Sequence, residues 1–130
     1  MHSVMRLKFE LEYTLNCSQK VLFSRLSTPE GLGEWFADQV NVDGDLFTFL
    51  WNNSESVARL SALKENKLAR FEWIDIEDEE SNYFEFRINI DEITGDLALI
   101  ISDFAEAEEK EDSIYLWDSQ IADLKRLLGI

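Results

Sequence analysis

The segment from Ser113 to Leu128 most constrains what this chain can fold into. Ile114, Trp117, Ile121, Leu124 and Leu128 fall at steps of three, four, three and four, which places them in one apolar stripe along a helix. Asp118, Gln120, Asp123, Lys125 and Arg126 take the other positions, and the basic pair sits in the last turns, where the helix dipole favours positive charge. Each stripe side chain contributes about 1.5–3 kcal/mol when fully buried, so the helix must dock on a broad apolar surface. The remaining sequence offers one candidate surface, a β-sheet.

That sheet is visible as a period of two. Leu7, Phe9, Leu11, Tyr13 and Leu15 alternate with Lys8, Glu10, Glu12 and Thr14, the pattern of a strand with one buried face. Five further strands are expected at Leu46–Trp51, Ser56–Leu63, Leu68–Ile76, Tyr83–Ile90 and Leu97–Phe104. Asp43-Gly44 precedes the first of these, and Lys64-Glu65-Asn66-Lys67 and Thr94-Gly95-Asp96 form turns between them. Short connections imply an antiparallel meander. Between the first strand and the rest, Ser18 caps a short helix carrying Val21, Leu22, Phe23 and Leu26. Thr28-Pro29-Glu30 then starts a second, with proline at its first position and Leu32, Trp35 and Phe36 as its apolar face. The acidic stretches Asp75–Glu80 and Ala105–Asp112 read as solvated connectors, with Ser113 opening the long helix. The expected fold class is therefore α+β. A curved antiparallel sheet wraps a long C-terminal helix, two short helices follow strand 1, and residues 1–130 form a single domain.

Composition narrows the function. With 27 acidic and 12 basic residues the net charge is −15, which disfavours nucleic acid and anionic membrane as partners and favours basic proteins. The one cysteine, Cys17, excludes an intramolecular disulfide and reads as a small buried filler. The one histidine, His2, lies at the terminus and leaves no base for a hydrolase triad. Neither acidic run has the alternating oxygen ligands and central glycine of a calcium loop, so no metal, cofactor or catalytic residue is assigned. The N-terminus lacks the apolar core of a signal peptide, and no apolar run is long enough to span a bilayer, so a cytoplasmic location is expected.

Several local patterns resemble the START-like (helix-grip) superfamily, and within it the homologues of the activator of chaperone ATPase (the AHSA1-like branch). Thr28-Pro29-Glu30, Leu32 and Trp35-Phe36 match a T-P-E-x-L-x-x-W-F segment, and Asp43-Gly44 ahead of Phe47, Phe49 and Trp51 matches a glycine turn with an aromatic strand. Lys67-Leu68, Phe71 and Trp73 match K-L-x-F-x-W, and Trp117 with Leu124 matches the closing helix. The chain departs from that pattern at Asn52-Asn53-Ser54-Glu55, where members usually carry another glycine, and in its charge. The resemblance implies a helix-grip fold with a groove between sheet and helix, in a superfamily whose members bind lipids and other apolar ligands, cyclise polyketides or contact chaperones.

Aromatic excess is the remaining signal. Trp35, Phe36, Phe47, Phe49, Trp51, Phe71, Trp73, Phe84, Phe86, Trp117 and Ile121 are expected inward and are the candidate lining of an apolar ligand cavity. Arg59, Arg70 and Arg87 are expected on the outer sheet face, paired with acidic neighbours across the strands. The leading expectation is a non-enzymatic domain holding a small hydrophobic ligand. The alternative is a protein-interaction domain, chaperone-linked or homodimeric, that uses the acidic surface. A cyclase- or hydrolase-like enzyme ranks third and requires Tyr13, Tyr83, Glu85 or Asp103 to point inward.

Overall fold

A computed structural model describes residues 6–74 and 82–130, so His2 and the expected Asp75–Glu80 connector lie outside the described residues. The alternating N-terminal segment forms β1 (Arg6–Thr14), followed by α1 (Gln19–Ser27) and α2 (Pro29–Leu32). Six strands follow: β2 (Gln39–Asp43), β3 (Leu46–Trp51), β4 (Ser54–Lys64), β5 (Leu68–Trp73), β6 (Tyr83–Ile90) and β7 (Leu97–Glu106). A single 3₁₀ turn at Ala107–Glu109 then leads into α3 (Lys110–Leu128). The strands form one seven-stranded sheet in the order β1-β7-β6-β5-β4-β3-β2, and every neighbouring pair is antiparallel.

Three local expectations are corrected. A strand that the sequence pattern did not announce, β2, forms the sheet edge; its segment Gln-Val-Asn-Val-Asp is short, polar and mostly exposed, so it carries little hydrophobic signal. The second helix ends at Leu32, and Trp35 and Phe36 lie in the turn that follows it. The long helix begins at Lys110, so Ser113 is an interior position rather than its cap. Glu111 and Asp112 in the first turn suit the positive end of the helix dipole. At the other end Gly129 takes φ 74°, and its N–H and that of Ile130 return to the carbonyls of Arg126 and Lys125, closing the helix with a left-handed cap.

The inner face of the sheet gathers Phe9, Phe47, Phe49, Phe71, Phe84, Phe86, Leu99 and Ile101, all buried, against Trp117, Ile121 and Leu124 of α3. Ile114 and Leu128 extend the helical stripe as half-buried residues. The two short helices close one end. Ser18 accepts the Val21 N–H and Thr28 accepts the Gly31 N–H, so each helix has the cap that the sequence provides. Gly31 is the tightest point, because a Cβ there would meet the Ser24 carbonyl oxygen at 2.1 Å.

Candidate functional site

The aromatic residues divide into a packed centre and an open rim. Phe49, Phe71, Phe84 and Phe86 are fully buried, with Phe71 stacked on Phe84 at 5.0 Å between centroids. Phe47 packs edge-on against Phe71, and Trp35 packs against Phe86 while its Nε1–H donates to the Arg25 carbonyl at 2.8 Å. Ile121 is buried at the helix–sheet contact. These seven candidate lining residues occupy the interior between sheet and helix and fill it.

Phe36 joins the two regions. Although it lies in a turn, it is only 5% exposed and packs near-parallel to Phe84 at 5.1 Å and Trp117 at 5.8 Å, two rings that themselves meet at 6.2 Å. Its carbonyl accepts from Trp51 Nε1–H at 2.9 Å and from Gln120 Nε2–H at 3.1 Å, which ties the turn to β3 and to α3. Outside this ring cluster lies a groove of about 330 Å³ lined by Phe36, Trp51, Trp73, Asp103, Ser113, Leu116, Trp117 and Gln120. Four of the eleven candidate residues, Phe36, Trp51, Trp73 and Trp117, therefore meet at an apolar groove beside the first half of α3.

Three lining residues were not assigned from the sequence, and a fourth, Asp103, was named there only for the enzyme reading. Ser113, Leu116 and Gln120 lie on the flank of α3 beside its buried stripe, and Leu116 is 60% exposed. Asp103 is the inward member of an alternation through Leu97, Leu99 and Ile101, so the period of β7 carried the signal. Trp117 Nε1–H donates to Asp103 Oδ2 at 2.8 Å, and the Phe104 amide donates to Oδ1 at 2.7 Å. Burial holds the Asp103 carboxyl above its usual range, opposed by those two hydrogen bonds and by the charge of Arg6.

The other titratable candidates lie elsewhere. Tyr13 donates to Asp118 Oδ1 at 2.6 Å, pinning α3 to β1, and burial together with that acceptor raises its phenol pKa. Tyr83 and Glu85 lie on the outer face. Glu85 is only 3% exposed between Arg70 at 2.7 Å and Arg87 at 3.2 Å, and Arg70 also covers the Tyr83 ring. Arg59 pairs with Asp45 at 3.4 Å. Arg70 reaches across the strands to Glu85, whereas Arg87 reaches it along its own strand. Cys17 is half-buried, and burial raises its thiol pKa, the opposite of an activated nucleophile. Among the described residues no group of three His, Cys, Asp or Glu could hold a metal ion, and no helix is long and apolar enough to cross a membrane.

A family model, the START-like superfamily domain, matches residues 3–130. The chain belongs to the START-like superfamily. Its curved antiparallel sheet and long C-terminal helix are the helix-grip arrangement of that fold. A Bacteroides fragilis protein solved by NMR is 42% identical to this START-like domain, covering 96% of this chain and 93% of that one, with a TM-score of 0.67. The Aha1 dimer from Colwellia psychrerythraea superposes with a TM-score of 0.80 at 15% identity over 95% of this chain and 97% of that one. A Mesorhizobium loti protein gives 0.77 at 14% identity over 95% of this chain and 97% of that one. The latter two show likeness of fold alone. No curated protein matches the sequence.

Proposed function

We propose that this START-like domain is a binding module that holds a small apolar ligand in the groove between Trp51, Trp73 and α3. One observation carries the reading. The groove of about 330 Å³ is walled by Phe36, Trp51, Trp73, Leu116 and Trp117, with Ser113 and Gln120 as its few polar groups. Small-molecule sites have this composition, mostly apolar walls with a few placed polar atoms. Among the described residues Asp103 is the one carboxyl in the lining, and no second titratable side chain lines the groove beside it, which favours binding over acid–base chemistry.

A neutral fluorescent probe, N-phenyl-1-naphthylamine, tests the proposal. Saturable enhancement that medium-chain alcohols reverse is expected, and Ser113→Phe, which fills the groove from a half-buried helix position, should remove it. No saturable signal, or equal signal in Ser113→Phe, overturns the reading.

A second reading, self-association, draws on Tyr115 and Leu116, which are 78% and 60% exposed on the same helix, and on the likeness of fold to the Colwellia Aha1 protein, which was solved as a dimer. Sedimentation equilibrium tests it: a dimer lost on Tyr115→Glu supports the reading, and a monomer at millimolar concentration ends it.

A further inference from the structure

We propose that the ligand of this groove is an organic cation, an alkyl- or arylammonium group held against the rings of Phe36, Trp51, Trp73 and Trp117 with Asp103 as its counter-charge. The inference rests on the groove being a ligand site and adds the chemical class of the ligand.

Three independent observations converge on it. The first is the wall. Of the eight lining residues, four are aromatic, three of these are tryptophans, and none is Lys or Arg. Indole faces attract cations most strongly among the side-chain rings, and several rings around one apolar space are the usual means of recognising substituted ammonium groups.

The second is Asp103. It lines the groove and accepts one hydrogen bond at each oxygen, from Trp117 and from the Phe104 amide. Among the described residues no cation lies within ion-pair distance of it, and the charge of Arg6 reaches it without closing to a bridge. An ionised carboxylate can accept about four hydrogen bonds, so roughly half its capacity is unused. A half-buried carboxylate without an ion-pair partner carries a desolvation cost, which a bound cation would offset. The hydrogen bond from Trp117 also polarises the indole toward greater electron density, strengthening its attraction for a cation.

The third is the field. The chain carries a net charge of −15, which raises the local concentration of small cations at its surface and lowers that of anions. The charge that disfavours nucleic acid and anionic lipid favours this ligand class.

The test compares benzyltrimethylammonium with neopentylbenzene, its neutral isostere, by NMR titration of the indole N–H signals of Trp51, Trp73 and Trp117. The cation should bind about tenfold more tightly, a difference of about 1.4 kcal/mol. Asp103→Asn keeps an acceptor for Trp117 and removes the charge. It should bring the two affinities within about twofold by weakening the cation, and the dispersion of the indole N–H signals shows that the variant is folded. If Asp103→Asn does not fold, Trp73→Leu takes its place and should lower the affinity of the cation more than that of the isostere. Equal affinities in the wild type, or a cation preference that survives Asp103→Asn, overturn the cation assignment and leave the apolar groove standing. Failure of both ligands to shift the indole signals overturns the cation and the groove together.

Discussion

Truncating Phe36 to alanine tests whether the interior is packed or adaptable. The substitution leaves the backbone carbonyl that holds Trp51 and Gln120, so it isolates the ring. Burial of Phe36 is nearly complete, and its ring touches six others, those of Trp35, Phe49, Trp51, Phe84, Phe86 and Trp117. Most of these neighbours stand on β3, β6 and α3, and Phe84 and Trp117 already meet at 6.2 Å, so little movement is left to refill the space. The loss therefore belongs toward the upper part of the usual Phe→Ala range, about 4 kcal/mol. With a urea m-value of about 2 kcal/mol/M for a chain of this size, the midpoint should fall by about 2 M. Leu116→Ala, on the exposed side of the same groove, should move it by less than about 0.5 M, since surface substitutions rarely exceed about 0.5–1 kcal/mol. Urea denaturation followed by far-UV circular dichroism measures both. A Phe36→Ala loss below about 1.5 kcal/mol would refute the reasoning. It would mean that the rings slide into the gap and that the centre is a deformable cavity.

Other perturbations separate the remaining contributions. Asp103→Asn should gain stability relative to the wild type as pH rises from about 3 to 7. The raised folded-state pKa means that the unfolded chain, titrating near pH 3.9, releases its proton first, so the wild type loses stability as Asp103 ionises; a stability difference flat with pH across thermal melts would contradict this. Gly31→Ala should cost about 3 kcal/mol, because the added methyl meets the Ser24 carbonyl and the Arg25 Cα, which are backbone atoms that cannot rotate away. A melting temperature within a degree of wild type would show that the α1–α2 corner is loose. Glu85→Gln should cost about 1–3 kcal/mol by removing a buried charge from between Arg70 and Arg87, discounted because both arginines are partly exposed. The cost should shrink in high salt, and a salt-independent value would point to packing instead.

How much of this was legible in the sequence depends on how long each periodic signal ran. The helical stripe persists over four turns, and Trp117, Ile121 and Leu124 are buried on one side as expected. The strands with rings at every second position also read cleanly: Phe71 and Phe86 have charged neighbours on both sides, and Phe47, Phe49 and Phe84 have a polar neighbour on one. Short segments gave no such redundancy. Leu32, Trp35 and Phe36 have helical spacing, yet the same spacing also suits a tight turn, and the chain takes the turn after Gly33. In β2 only Val40 packs against the core, so two valines in five residues could not announce a strand. Asp103 was readable from the alternation of β7, yet its side chain normally faces water, so it entered only as one conditional member of an enzyme's titratable pair.

The position of the groove follows from where the large side chains stop. Along α3 the buried stripe presents Trp117, Ile121 and Leu124 to the sheet, while Ser113 and Gln120 on its flank are too small or too polar to complete the packing opposite Trp51 and Trp73. The rings of β3, β5 and β6 fill the centre from the sheet side, and Phe36, delivered by a turn, seals it from the end. Among the described residues the apolar unfilled space therefore lies at the rim, where half-buried indoles meet a helix flank. In a helix-grip fold whose centre is solid, ligand chemistry is set by that rim. Here the rim combines ring faces with one acid that has no ion-pair partner among the described residues, so charge on the ligand, more than its length, should decide what is held.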